Sequence, residues 1–324
     1  MSIESRALSS EDDLIRVEEM THEFGHGRGK VLACDRMTLR VGRRVSLGLV
    51  GESGSGKSTA IRLMQRFMRP TQGKIFWQGV EVTRVPERNL KRYRKKMGFV
   101  AQDPYGSLFP NRTVVGNVIE PLIIHGTGAN PQRMRRAKEL LDRVGIAQGH
   151  QYIFPHELSG GQQQRVAIAR ALALGPDLLM LDEAVSSLDV SIQAQIINLL
   201  QDLKVDLDLT YVFVSHNLAV VRLLCETVAV MYLGRVVEMG ETQKIFDHPY
   251  HPYTKMLIQS IPRLTENGVS TLPVPSQPAL VGADPDTGCA YAPRCPLAMQ
   301  RCLSQPPELR RQADGTEVAC HAVP

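Results

Sequence analysis

Residues 51–59 read GESGSGKST, and no other stretch narrows the possible folds as far. The pattern G-x-x-x-x-G-K-[ST] has physical meaning only between an apolar strand and a helix. Both flanks are present: RVSLGLV (44–50) is a buried-strand run, and KSTAIRLMQRFM (57–68) carries apolar residues at helical spacing. Between them Gly51, Ser53, Gly54, Ser55 and Gly56 let backbone N–H groups close around β- and γ-phosphates, aided by the positive end of the helix that follows. Lys57 neutralises phosphate charge, Ser58 is the Mg²⁺ ligand, and Thr59 continues the loop into the helix. The motif predicts an α/β chain that binds ATP and Mg²⁺.

Two further stretches complete an ATP-hydrolysing set. In LLMLDEA (178–184) an apolar strand delivers Asp182 to the Mg²⁺ shell, with Glu183 beside it to orient the attacking water or accept its proton. Alone, such a strand end is common; after a phosphate loop it has a role. LSGGQQQR (158–165) opens another helix with Ser159, Gly160, Gly161 and Gln162, a second anion site built from backbone N–H groups. One nucleotide does not need two such sites, so the second is expected to serve the nucleotide of another subunit.

With these motifs in this order, residues 12–260 resemble the ATP-binding cassette ATPases, whose signature is LSGGQ. The resemblance implies further roles. Phe24 stacks on adenine, and Gln102, in VAQDPYGSLFP, reaches the Mg²⁺ and links the nucleotide site to a transmembrane partner. Asp189, in SSLD, crosses a dimer interface, and His216, in VSHN, contacts the γ-phosphate. The family usually has Pro-Thr after the catalytic Glu, where this chain has Ala184-Val185. EAVSSLDVSIQAQI, QDPYGSLFP, HPYHPYT and a cysteine-rich tail resemble the second ATPase subunit of dipeptide, oligopeptide and nickel importers. That branch implies a heterodimer with a second ATPase, beneath two transmembrane permeases fed by an extracytoplasmic peptide-binding protein. The chain would then sit on the cytoplasmic face of the bacterial inner membrane and drive peptide uptake, or nickel uptake as the alternative.

Hydrophobic periodicity divides the 324 residues into five stretches. Residues 1–104 are a β-rich part with the phosphate loop, 105–172 a helical subdomain holding the signature, and 173–261 the second part of the catalytic core. A linker at 262–287 holds five prolines, and 288–324 is a cysteine-rich tail. The fold class expected is a P-loop NTPase with a helical insertion and a C-terminal cysteine-rich extension. No apolar run approaches the ~20 residues that span a bilayer, and the start shows no secretory signal, so a reducing cytosol is expected. Basic runs at 88–96 and 133–138 accompany a net charge of +5. They read as solvated helix faces; the rival, a nucleic-acid- or ribosome-bound cassette ATPase, lacks a second cassette or a long coiled-coil insert.

Cys289, Cys295, Cys302 and Cys320 all fall in the tail. Disulfides are disfavoured in a reducing compartment, and a proline-bounded segment poor in apolar residues is expected to need a staple. Four thiolates suit zinc or an iron–sulfur cluster. Spacings of five, six and seventeen intervening residues include none of the close pairs zinc usually uses. The resemblance to peptide-importer ATPases implies a [4Fe–4S] cluster on these four cysteines, with zinc as the alternative and His321 a weaker candidate ligand than Cys320.

Overall fold

The computed structural model describes residues 13–25, 30–186, 188–261, 263–265, 268–270 and 287–323. The chain opens with β1 (Asp13–Phe24) and β2 (Val31–Gly42), an antiparallel pair, then β3 (Leu47–Val50) and α1 (Lys57–Met64). β4 (Gln72–Trp77), β5 (Val80–Glu81), α2 (Glu87–Arg94) and β6 (Met97–Val100) follow. A helical block holds α3 (Pro104–Ser107), α4 (Val114–Ile124), α5 (Asn130–Arg143) and α6 (Gly160–Leu172). The chain then alternates β7 (Leu178–Asp182), α7 (Val190–Asp206), β8 (Thr210–Ser215), α8 (Leu218–Leu224), β9 (Thr227–Tyr232) and β10 (Arg235–Glu241). It closes with α9 (Thr242–Asp247), α10 (Pro252–Gln259), β11 (Arg263–Thr265), β12 (Gly268–Ser270), α11 (Arg301–Ser304), β13 (Arg310–Arg311) and β14 (Glu317–Val318).

Among the described residues the strands make an antiparallel sheet of order β2-β1-β4-β5 and a larger one of order β13-β14-β10-β9-β3-β8-β7-β6. In the larger sheet β9, β3, β8, β7 and β6 run parallel, and β10, β14 and β13 continue it antiparallel. Its parallel strands are apolar without interruption because both faces are covered. Leu179, Leu181, Tyr211, Phe213, Val228 and Val230 face the core shared with the helical block. The alternate residues Leu178, Met180, Val212, Val214, Ala229 and Met231 face the core shared with α1 and the β-rich sheet. Side chains alternate along a strand, so one short run serves two cores.

Several differences from the sequence reading have local causes. The first helix ends at Met64 rather than Met68, because Arg66 turns into the left-handed region at φ 56°. The basic run 88–96 lies on α2 and its C-terminal end, and 133–138 lies on α5. Within the expected linker, β11 pairs antiparallel with β12; residues 262, 266–267 and 271–286 fall outside the described residues.

The largest correction concerns the tail. It is not a core-poor appendage in need of a staple. β14 pairs antiparallel with β10 through Glu238 with Val318 and Met239 with Glu317, which extends the larger sheet. Tyr291 and Cys295 belong to the main hydrophobic core, and Ala292, Cys302, Val318 and Ala319 are buried. The tail takes its shape from the larger sheet and the main core, which its own composition could not reveal.

Candidate functional site

The phosphate loop runs from the C-terminal end of β3 to the first turn of α1. Gly56 caps that helix in the left-handed conformation, φ 98°, and a Cβ there would lie 2.0 Å from the Ala33 carbonyl oxygen. Gly51 is similarly confined, with φ 151° and a Cβ position 2.2 Å from the Met231 carbonyl oxygen. Ser53 and Gly54 at the loop's crest are exposed, while Ser55 is buried and its carbonyl accepts from the Gly234 N–H at 3.0 Å. Lys57 Nζ donates to the carbonyls of Gly51 (2.9 Å) and Glu52 (2.8 Å) and to Ser55 Oγ (3.3 Å). Burial pushes its ammonium below the ordinary lysine value, and Glu183, Asp182 and Glu52 oppose that shift. A polyanion in the loop would add further compensation for this buried cation.

Ser58 Oγ donates to Asp182 Oδ1 at 2.8 Å, which brings the first turn of α1 against the end of β7. Burial raises the Asp182 carboxyl, and the bond from Ser58 acts against it. A hydroxyl and a buried carboxylate on one small locus form the hard-oxygen donor set that Mg²⁺ takes. Thr59 is half-buried beside them on α1.

Glu183 follows with φ 48°, an uncommon conformation for a side-chain-bearing residue, and its N–H is held by the Val214 carbonyl at 3.0 Å. Its Oε2 accepts from Gln102 Nε2 at 3.1 Å and lies 3.4 Å from His216 Nδ1. Three sequence-predicted residues from separate segments, after β6, β7 and β8, thus meet at one carboxylate. Backbone strain held at such a point is characteristic of functional sites. Ala184 and Val185 are buried in the main core, so they act in packing and leave the carboxylate untouched.

The other predicted residues stand apart. Ser159 caps α6, with its N–H bonded to Gln162 Oε1 (3.0 Å) and its Oγ accepting from the Gln162 N–H (3.4 Å), a capping box. Gln162 Nε2 lies 3.2 Å from His150 Nδ1. Ser159 and Gly160 are exposed, and a Cβ at Gly161 would lie 2.5 Å from Ile192 Cγ2. Asp189 caps α7 with an exposed side chain, and none of its described bonds is a side-chain cap. Phe24 is exposed, with its ring edge-on to His22 at 4.7 Å.

Sequence reasoning did not single out Glu52, Tyr253 or Arg294. The Glu52 N–H donates to Tyr253 Oη at 2.8 Å, and its carboxylate receives both arms of the Arg294 guanidinium at 2.8 and 2.9 Å. The stretch HPYHPYT was legible only as a signature. Its His251 N–H and the Tyr250 N–H donate to the buried Glu238 carboxylate, at 3.0 and 2.7 Å, which seats α10 and carries Tyr253 to the loop.

The tail cysteines converge: Cys302 and Cys320 act electrostatically on Cys289, and all three act on Cys295. Burial pushes the Cys295 thiol up to about 11 and raises Cys289 and Cys320. As they lie, they do not form the expected centre. Among the described residues no group of three or more His, Cys, Asp or Glu side chains is arranged to hold a metal ion, whether iron or zinc. His321 Nε2 lies 2.8 Å from the Gln305 carbonyl oxygen, where it donates as an N–H, so that nitrogen is engaged.

Residues 34–186 match the family profile described as ABC transporter, and 237–302 match one described as oligopeptide/dipeptide transporter, C-terminal region. A Brucella abortus (strain 2308) protein named for peptide import ATP binding is 44% identical over 312 residues, 96% of this chain and 92% of that protein. The oligopeptide transport ATP-binding protein AppF of Bacillus subtilis (strain 168) is 42% identical over 303 residues, 90% of each chain. Among solved structures, the cassette MJ0796, a dimer in a post-hydrolysis state with ADP and Pi, aligns at TM-score 0.65 and 30% identity. That alignment covers 70% of this chain and 98% of MJ0796. The cbiO1 protein of Clostridium perfringens, part of the cbiONQ transporter complex, aligns at TM-score 0.66 and 28% identity over 74% and 92%.

Proposed function

This chain belongs to the ATP-binding cassette transporter ATPases, and from that premise we propose that it powers a peptide importer by hydrolysing ATP between itself and a second ATPase subunit. The observation that carries the reading is the meeting of Gln102 and His216 on Glu183, beside a loop already folded for phosphate. In this reading the N–H groups of Gly51 to Ser58 and Lys57 receive the phosphates, and Phe24 offers its exposed ring to adenine. Ser58 and Asp182 hold Mg²⁺, with Gln102 next to them. The metal would neutralise charge that develops on the γ-phosphate. Glu183 orients the attacking water and takes its proton, and His216 contacts the γ-phosphate. Ser159, Gly160, Gly161, Gln162 and Asp189 are exposed or set apart from this loop because they complete the partner's site.

No helix among the described residues is long and apolar enough to cross a membrane. In this reading attachment to the cytoplasmic face comes through two permeases, as the peptide-import relatives suggest. A groove of about 530 Å³ between Phe67, Phe99, Glu120, Ile124 and Arg170 lies beside the Gln102 segment and suits a permease element. Peptide rather than nickel as cargo rests on the named relatives and the oligopeptide/dipeptide region at 237–302. The test is reconstitution in vesicles with the second ATPase, the permeases and the binding protein. Peptide-loaded binding protein should stimulate ATP turnover; stimulation by nickel alone would redirect the reading.

The convergence of four thiols supports one finer element: Cys289, Cys295, Cys302 and Cys320 turning onto a [4Fe–4S] cluster, ahead of zinc. Anaerobically purified protein should then be brown, with about four irons per chain, and Cys295→Ser should bleach it. Colourless protein with stoichiometric zinc selects the alternative, and metal-free protein leaves the thiols to packing alone.

A further inference from the structure

Glu52, the second residue of the phosphate loop, is gripped at three points. Its carbonyl accepts from Lys57 Nζ, its N–H donates to Tyr253 Oη, and its carboxylate takes the bidentate Arg294 fork. Arg294 closes a short 3-10 turn, Ala292–Arg294, immediately before Cys295. Its guanidinium lies 5.8 Å from the Tyr291 ring centroid and 6.0 Å from that of Tyr232, and Nη2 lies 3.9 Å from Met256 Sδ. Tyr291 packs in turn against Tyr253, centroids 5.3 Å apart. The turn is built into the cysteine segment, where the Cys289 N–H donates to the Cys302 carbonyl at 2.8 Å and Arg294 N–H to the Tyr291 carbonyl at 3.0 Å. A carboxylate in a loop that must accept a triphosphate opposes its ligand unless it is compensated and held aside. A planar fork does both, because two parallel bonds fix orientation as well as charge.

We propose that Arg294 is a positioning residue for nucleotide binding: through Glu52 it holds the phosphate loop in its ATP-accepting shape and ties the cysteine-bearing tail to the ATP site. Coupling of this kind is reciprocal. A tail that steadies the loop is itself steadied when the loop closes on ATP.

The test uses the full chain and a fluorescent ATP analogue, with thermal melting as the control for folding. Arg294→Ala should weaken nucleotide binding roughly three- to tenfold, the range of a well-oriented but partly exposed pair. Arg294→Lys, which keeps the charge and loses the fork, should fall between. In a Glu52→Ala background the same Arg294→Ala change should have no further effect. ATP should slow amide hydrogen exchange in residues 289–302 of the wild type and do so less in Arg294→Ala. Wild-type affinity in a folded Arg294→Ala protein overturns the proposal. So does an equal loss in the Glu52→Ala background, or equal protection of 289–302 by ATP in both proteins. If Arg294→Ala fails to fold, the Lys variant and the Glu52 background carry the same comparison.

Discussion

Glu183 is held with φ 48° by its N–H bond to Val214 and the Ser186 contacts to its carbonyl, so its carboxylate is aimed before any nucleotide arrives. Changing it to Gln keeps the shape and a partner for His216 and removes the proton acceptor. ATP binding by Glu183→Gln should stay near wild type while turnover falls about 10²–10⁴-fold, measured as phosphate release from the assembled transporter. Wild-type turnover would show that another group takes the proton. Gly56→Ala is a different kind of lesion. Its Cβ would meet a backbone carbonyl at 2.0 Å in a conformation that L residues rarely adopt. A loss of about 2–4 kcal/mol of stability is expected, read as a lower melting temperature together with weakened nucleotide binding.

At the scale of elements, α10 shows how a segment is seated for a distant purpose. Burial pushes the His251 imidazole down to about 3, and its Nδ1 accepts from the Tyr253 N–H at 3.0 Å, so the folded state holds it neutral. Its folded value lies below the ordinary value of 6.5. The unfolded chain therefore takes up a proton first as pH falls. The stability His251 contributes is complete above 6.5 and is lost from there down toward 3, by at most about 1.4 kcal/mol per pH unit. His251→Asn keeps a capping acceptor and removes the titration. Urea unfolding of that variant should depend less steeply on pH between 6.5 and 4 than the wild type. An unchanged slope would assign the acid sensitivity to other groups.

At the scale of the molecule, the tail and the partner subunit set what the chain can do alone. Deleting 287–324 removes β13 and β14 from the sheet, bares the β10 edge and opens the pocket filled by Tyr291 and Cys295. The truncated protein should melt earlier and associate, since an unpaired edge strand invites pairing with other chains; calorimetry and light scattering check both. The isolated full chain should be a slow ATPase, because in the proposed reading Ser159 and its neighbours at the start of α6 complete the partner's site, and a monomer lacks those donors. Adding the second ATPase and the permeases should raise turnover sharply. A verified monomer as fast as the complex would refute the shared site.

The parts legible in the sequence are those whose physics is local. A phosphate loop, an apolar strand ending in Asp182-Glu183 and a serine-capped α6 each depend on residues a few positions apart, so their spacing announced them. The alternation of strand and helix likewise reported an α/β sheet with a helical insertion. What only the tertiary structure decided depends on chain crossings that no local pattern encodes. Gln102, Glu183 and His216 meet because parallel strands β6, β7 and β8 end at the same edge. Arg294 reaches Glu52 across 242 residues because the tail docks on β10 and on the tyrosine cluster. The four tail cysteines looked like the framework of an independent unit, since thiols in a proline-bounded segment have no visible core. The core they use belongs to the ATPase, and burial in it raises the Cys289, Cys295 and Cys320 thiols.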